Sequence, residues 1–172
     1  MSDAPDEETL VVNIAEWVER AKADPEAYLE RQATEVFLAA LAMTKPWAHE
    51  VFLKGGILMG VVYGSPRQTG DIDFTTIANP QPGIAEELAT ALDANFPRAA
   101  AELGYPRLMC RTQSHKYFPK GEAFPKNEGP AVTLGSYCQI WCLRLLGHAA
   151  IWPVSVASIP SLNVTPVMTL AR

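Results

Sequence analysis

Two aspartates separated by one residue, Asp71 and Asp73, are the side chains in this 172-residue chain best suited to bind a divalent metal. They lie in a β-rich segment, and side chains at positions i and i+2 of a strand point to the same side. Their Cα atoms would then be about 7 Å apart, given the rise of a strand per residue. Two carboxylates on one face repel each other unless a cation lies between them. Hard oxygen ligands favour Mg²⁺ or Mn²⁺, so the spacing predicts a site for one of these ions.

A glycine pair, Gly55-Gly56, lies upstream between an apolar strand and an apolar helix. Glycine lets the backbone approach a ligand without a Cβ, and the free N–H groups of a first helical turn attract anions. Lys54 and Arg67 add positive charge near the same place. A metal site beside a phosphate cradle describes a binding site for a nucleoside triphosphate.

Each of these features has an ordinary structural explanation when it is taken alone. An Asp-X-Asp pair often marks a solvated strand end, a Gly-Gly pair is usually only a turn, and single cations are commonly surface charges. The ordered combination favours a nucleotide site, because strand, Lys-Gly-Gly, helix, Arg and Asp-X-Asp follow one another closely before residue 74.

The same residues resemble the signature of the AbiEii/AbiGii toxin family, nucleotidyltransferases of the DNA polymerase β-like superfamily. The resemblance is close over about residues 50 to 76 and continues loosely to about residue 137. Members often form the toxin half of bacterial type IV toxin–antitoxin or phage-defence systems. The matching residues are Phe52-Leu53-Lys54-Gly55-Gly56, Leu58, Tyr63-Gly64, Pro66-Arg67 and Asp71-Ile72-Asp73-Phe74.

The resemblance implies transfer of a nucleoside monophosphate from a nucleoside triphosphate (NTP) to an acceptor hydroxyl, on tRNA or on a protein. Asp71 and Asp73 would hold the Mg²⁺ or Mn²⁺ that bridges the triphosphate. Gly55 and Gly56 would approach the phosphates, and Arg67 would steady the charge there. A cognate antitoxin would be the partner.

Three features depart from the family's pattern. The residue after the glycine pair is usually Ser or Thr, which can bond a phosphate, whereas here it is Ile57. Superfamily enzymes use a third carboxylate on a later strand, and Glu122 and Glu128 are the last acids in this chain. The helical C-terminal domain of full-length members, with its own Lys and Asp motifs, has no counterpart here. Beyond about residue 129 we therefore expect a truncated, frameshifted or divergent tail.

Two other functions stay open on the sequence alone. A catalytically defective relative would keep the fold and bind nucleotide without turnover. An antitoxin-type partner would act by protein contact through acidic N-terminal helices, since the first 35 residues carry ten acidic residues against three basic ones.

Composition bounds the class of protein further. The net charge of −5 does not support a broad basic surface for duplex nucleic acid. The N-terminus has neither a basic nor an apolar leader segment, so a cytoplasmic protein is expected, and three prolines argue against a membrane-spanning helix in the weakly charged C-terminal stretch. In a reduced cytoplasm, Cys110, Cys138 and Cys142 should be small buried apolar residues. A metal role for Cys138 and Cys142, four residues apart, is not expected.

The elements that must position the site follow from hydrophobic periodicity. Two N-terminal helices should cover the sheet, and Asp24 should cap the second. Strands at 51–53 and 71–77 and a helix at 57–63 should frame the site. Further along, the patterns predict helices at 84–92 and 97–103, strands at 107–113, 131–141 and 151–159, an exposed loop or open hairpin at 115–130, and no clear period in the final segment.

These elements predict an α/β (α+β) fold in which a small mixed β-sheet is flanked by helices, mainly on one side. The fold should be nucleotidyltransferase-like with an N-terminal helical pair. We divide the chain into an acidic lead (1–8), N-terminal helices (9–45), a nucleotidyltransferase-like core (46–137) and an irregular or aberrant tail (138–172).

Overall fold

The computed structural model describes residues 13–65, 71–126, 130–140 and 162–170, with the backbone alone at 137, 140 and 162–170. No helix in these ranges is long and apolar enough to span a bilayer. The elements in chain order are α1 (Ile14–Glu19), α2 (Pro25–Ala42), β1 (Val51–Lys54), α3 (Gly55–Tyr63), β2 (Asp71–Thr76), α4 (Ile84–Glu102), β3 (Leu108–Phe118), β4 (Ala131–Ile140) and β5 (Leu162–Leu170), with 3₁₀ turns at Trp47–His49 and Gly121–Lys126.

The strands form one mixed sheet in the order β1-β2-β5-β4-β3. The β2–β5 pair is parallel and the other pairs are antiparallel. The predicted fold class is confirmed: a small mixed sheet is flanked by helices. The predicted strand at 151–159 lies outside the described residues.

One face of the sheet packs against α2 and α4. Ile72 and Phe74 of β2 are almost fully buried in the same core as side chains from both helices. The ring of Phe37 on α2 lies 6.0 Å from the ring of Phe74 and 6.1 Å from that of Phe96 on α4. Aromatic rings at these separations add to the stabilisation from burial, so this cluster ties both helices to β2.

The helix α2 begins where the sequence predicts. The Asp24 carboxylate accepts hydrogen bonds from the N–H groups of Glu26 (3.1 Å) and Ala27 (3.2 Å), and Pro25 occupies the first helical position. This cap satisfies donors that a helix N-terminus otherwise leaves unpaired.

The helix α4 is one continuous element, whereas the sequence patterns predicted two pieces separated before Pro97. A proline inside a helix costs about 3 kcal/mol, because it removes a hydrogen bond and crowds the preceding turn. The apolar stripe continues on both sides of it, and burying each large side chain gains about 1.5 to 3 kcal/mol. Packing therefore outweighs the local penalty. The buried residues of this stripe are Leu88, Leu92, Phe96, Ala99 and Ala100.

The strand β3 runs to Phe118 and pairs with β4, so residues 115–118 belong to a hairpin, the second of the two predicted alternatives, and not to an exposed loop. Tyr117 packs edge-on against Phe124, with ring centroids 4.7 Å apart, and pairs with Val132 of β4. The Lys- and Pro-rich composition that suggested a loop carries no information about this tertiary packing.

Residues 162–170 form β5, although this segment showed no clear period and was expected to be irregular. β5 lies between β2 and β4 and pairs with both. Alternation of apolar and polar residues marks a strand with one solvated face, and a strand inside a sheet need not show it. Pro166 has no N–H to donate, and the described pairing with β4 is interrupted beside it, between Thr133↔Val167 and Ser136↔Val164.

Cys110 and Cys138 are register partners on β3 and β4 and are joined by a disulfide, with their Cα atoms 4.1 Å apart. Cys138 is buried, as expected, but the expectation of free thiols is wrong for this pair. The residues lie 28 positions apart, and the sequence alone did not give the register that sets them opposite each other. Cys142 lies outside the described residues.

Replacing Cys110 by Ala should lower the free energy of unfolding of the oxidised protein by about 2 to 4 kcal/mol, because the bond closes a loop in the unfolded chain. Urea unfolding with and without a dithiol reductant measures this. The reductant should lower the midpoint of the unmodified protein and leave that of the variant unchanged. A reductant effect of equal size in both proteins would contradict the assignment.

A hydrogen-bonded cluster joins the first turn of α4 to β3. Tyr117 donates from its hydroxyl to the Glu86 carboxylate and accepts from the N–H of Ala85 at 3.1 Å. The Nε2 atom of His115 lies 3.0 Å from the same carboxylate. The bond from Tyr117, above all, lowers the pKa of Glu86, and burial raises the pKa of Tyr117.

Removing the hydroxyl in Tyr117→Phe should lower the free energy of unfolding at pH 7 by about 1 kcal/mol. Because the folded-state pKa of Glu86 is lowered, this stabilisation is present above the unfolded carboxyl pKa of about 4.3. It is lost as the pH falls through the folded value. Urea unfolding at pH 7 and about pH 3 should therefore show the difference between the two proteins shrinking in acid. A difference that stays constant would contradict the role of Glu86.

Candidate functional site

Antiparallel pairing of β1 with β2 gathers the predicted site at one edge of the sheet. Lys54 is the register partner of Asp73, and Leu53 is the partner of Phe74. The end of β1, the start of α3 and the start of β2 therefore lie together. These elements carry Lys54, Gly55, Gly56, Asp71 and Asp73 of the predicted set. Arg67 lies outside the described residues.

The two aspartates project from the face of β2 that is turned away from α2 and α4. Asp71 is exposed and Asp73 is half-buried, whereas Ile72 and Phe74 between and after them are buried. The alternation is that of a strand with one face in the core. Both carboxylates are accordingly on the same side of the sheet.

The helix α3 starts directly after β1, and its first turn contains the glycine pair. Gly55 has a φ of +71°, a left-handed conformation that glycine adopts without strain. Lys54 occupies the N-cap position with extended backbone, and its side chain does not cap the helix. The N–H groups of the first turn and the helix dipole therefore present partial positive charge beside the aspartates.

The carboxylate of Asp73 lies directly against Gly55. A Cβ added to Gly55 would overlap Oδ2 of Asp73 and would lie 3.0 Å from both Cβ and Cγ of that residue. The glycine turn and the Asp-X-Asp strand are thus in van der Waals contact. Sequence reasoning placed them in one site but carried no signal for this contact.

Ile57 is only 2% exposed, so its side chain belongs to the core. In the family pattern, this position holds Ser or Thr as a phosphate ligand. The structure gives a physical reason for the departure, because a side chain directed into the core cannot bond a phosphate beside Asp73.

Ile57→Thr should therefore cost about 2 to 3 kcal/mol of folding stability, since it removes a buried methyl group and buries a hydroxyl. It should leave the affinity for NTP within about twofold of the original. Chemical denaturation and nucleotide titration measure the two effects. A stable variant with clearly tighter NTP binding would show instead that this position faces the phosphates.

Packing against α1 fixes the position of α3. A Cβ on Gly60 would lie 3.2 Å from Nε1 of Trp17, so the two helices approach closely there. At the other end, Gly64 has a φ of +65°, and the N–H of Ser65 donates to the carbonyl of Met59 at 3.2 Å. Such a left-handed glycine with a bond back across the last turn is a common way to end a helix. The sequence patterns gave no sign that Trp17 helps to position the site.

The strand beside β2 supplies no third acid. Thr165 and Val167 of β5 are the register partners of Asp71 and Asp73, and residues 162–170 include no Asp or Glu. Of the two remaining candidates, Glu122 is exposed in a 3₁₀ turn and Glu128 lies outside the described residues. Within the described ranges, no group of three or more His, Cys, Asp or Glu side chains could hold a metal.

Two carboxylates are nevertheless a sufficient protein contribution for Mg²⁺ bound together with a nucleotide. This ion commonly takes one or two carboxylates, and substrate phosphates and water complete its shell. The donor set of Asp71 and Asp73, beside a helix N-terminus that the Lys54 side chain does not cap, fits such an ion.

A cavity of about 290 Å³ lies at the opposite end of β1 and β2, away from the aspartates. Among the described residues, its lining contains two carboxylates, Glu50 and Glu87, and no Lys or Arg side chain. Its lining also includes Trp47 and Ile77, and none of the predicted site residues. The cavity does not have the cationic lining that a triphosphate needs.

A mixed sheet with helices on one face, and an Asp-X-Asp strand beside a Gly-Gly helix, is the arrangement expected of a nucleotidyltransferase. A family model described as "Nucleotidyl transferase AbiEii toxin, Type IV TA system" matches residues 36–135, more than half of the chain. The chain belongs to this family, and the predicted resemblance is confirmed. No curated protein and no solved structure matches it.

Proposed function

We propose that the protein is a metal-dependent nucleotidyltransferase that transfers a nucleoside monophosphate from an NTP to an acceptor hydroxyl on tRNA or on a protein. The observation that carries the proposal is the contact between the Asp73 carboxylate and Gly55, the first residue of α3. It brings an anionic metal-binding group and a helix N-terminus, which favours anions, to the same point.

Asp71 and Asp73 would hold Mg²⁺ or Mn²⁺, with phosphate oxygens and water as the other ligands. When bound, the ion offsets the negative charge of the triphosphate. The N–H groups at the start of α3 would bind the phosphates, with Lys54 beside them and Arg67 as a further cation. These groups hold the α-phosphate in a fixed orientation, which is the main contribution a protein makes to phosphoryl transfer.

In the transfer step, the acceptor oxygen forms a bond to the α-phosphorus while the bond from that phosphorus to the bridging oxygen of the β-phosphate breaks. Pyrophosphate leaves with the electron pair of the broken bond. The hydroxyl proton passes to solvent, since β5 offers no carboxylate beside Asp71 and Asp73 to accept it.

Asp71→Asn and Asp73→Asn should each reduce nucleotide transfer at least 100-fold, because each removes a charged ligand of the metal. Transfer of labelled NTP to tRNA and to protein in Mg²⁺ measures this. Glu87→Gln, which removes an exposed carboxylate on α4, is the matched control and should retain activity. Transfer that survives both Asp variants would overturn the site assignment.

One observation favours a second candidate function, nucleotide binding without turnover. The strand next to Asp71 and Asp73 carries no carboxylate, so the site has fewer acids than the superfamily pattern. Saturable, Mg²⁺-dependent binding of NTP without product on any acceptor would favour this candidate. Labelled product would exclude it.

The family describes toxins of a type IV toxin–antitoxin system, which supports a cognate antitoxin as partner. It also favours the toxin half over the antitoxin-type role that the acidic N-terminal helices left open. We place the protein in the cytoplasm, where NTPs and tRNA are found and where cellular thiols would keep Cys110 and Cys138 reduced. Co-purification with the product of a neighbouring gene, unaffected by Asp71→Asn, is the expected sign of an antitoxin bound away from the site.

A further inference from the structure

We infer that Gly55 is a positioning residue for Asp73: the position requires glycine because the carboxylate of Asp73 occupies the space a side chain would take. The inference rests on the proposed function and deepens it. It assigns the first glycine of the pair to the orientation of a metal ligand, and it leaves phosphate binding to Gly56 and the N–H groups that follow.

Asp73 leaves no room for a side chain at position 55. An added Cβ would overlap Oδ2 of Asp73 and come within 3.0 Å of Cβ and Cγ, so the carboxylate would have to move. Asp73 is the register partner of Lys54, the residue directly before Gly55, so the strand pairing fixes its Cα beside the start of α3. Rotation of the Asp73 side chain would clear its Oδ2 and Cγ atoms, and a shift of a few tenths of an ångström would relieve the contact with its Cβ, which rotation does not move.

Such a rotation would matter for a metal ligand. Mg²⁺ requires nearly octahedral ligand positions at about 2.0 to 2.1 Å, so a carboxylate turned away from Gly55 cannot keep the same bond. A displacement of about 1 Å in a reacting geometry can cost about 100-fold in rate. The glycine would therefore act through Asp73, without touching metal or substrate itself.

The backbone conformation of Gly55 must be separated from its lack of a Cβ, because its φ of +71° alone disfavours other residues. Gly64 offers the matched control. It has a φ of +65° at the other end of the same helix, and a Cβ there would meet no atom of the described residues within 4 Å. Gly55→Ala and Gly64→Ala thus share the backbone strain, and Gly55→Ala alone displaces Asp73.

The first test measures Mn²⁺ affinity by electron paramagnetic resonance in the presence of a non-hydrolysable NTP analogue, together with steady-state kinetics. Gly55→Ala should weaken Mn²⁺ binding at least 10-fold and lower kcat at least 100-fold, with KM for NTP within about threefold. Gly64→Ala should leave the Mn²⁺ affinity within twofold. A Gly55→Ala variant that keeps its Mn²⁺ affinity and kcat but has a raised KM for NTP would show that Gly55 serves the phosphates. This result would overturn the inference.

The second test is independent of activity and uses a double-mutant cycle of Gly55→Ala with Asp73→Gly, read as urea midpoints. Asp73→Gly and the double variant both carry the destabilisation caused by a glycine in β2, so this cost cancels when the two are compared. Gly55→Ala should lower the midpoint more in the original protein than in the Asp73→Gly background, where the space is open. An equal decrease in the urea midpoint in both backgrounds would show that Gly55→Ala does not act through Asp73, and would overturn the inference. Failure of the unmodified protein to bind Mn²⁺ with nucleotide would instead overturn the proposed function.

Discussion

The contact between Gly55 and the carboxylate of Asp73 depends on the register of β1 against β2. A shift of one residue would turn both aspartates into the core and expose Ile72 and Phe74. Burying these two side chains gains about 1.5 to 3 kcal/mol each, while carboxylates in the core would cost several kcal/mol. Burial of Ile72 and Phe74 therefore fixes the register of β1 against β2, and this register positions Asp71 and Asp73 beside the start of α3.

The helical layer supports the site from behind. The aromatic cluster around Phe37 joins α2 and α4 to the buried face of β2, and Trp17 on α1 packs against Gly60 in the middle of α3. The family match begins at residue 36, so α1 and the start of α2 precede it. In this chain, a segment outside the matched region thus helps to fix the helix that carries the glycine pair.

The sequence predicted those parts of the structure that depend on residues close together in the chain. The spacing of the aspartates in β2 and the Asp24 cap are local patterns, and the structure shows both elements there. The continuation of α4 through Pro97, the identity of β5 and the Cys110–Cys138 bond depend on partners that are distant in sequence. The contact between Gly55 and Asp73 is of the same kind, since it requires the pairing of β1 with β2.

The most direct measurement is anomalous diffraction from crystals grown with Mn²⁺ and a non-hydrolysable NTP analogue. We expect an anomalous peak within bonding distance of the carboxylates of Asp71 and Asp73, with the triphosphate at the N-terminus of α3. A nucleotide bound elsewhere, such as in the cavity beside Trp47, or an absence of Mn²⁺ at the aspartates, would contradict a single nucleotide and metal site built on Gly55 and Asp73.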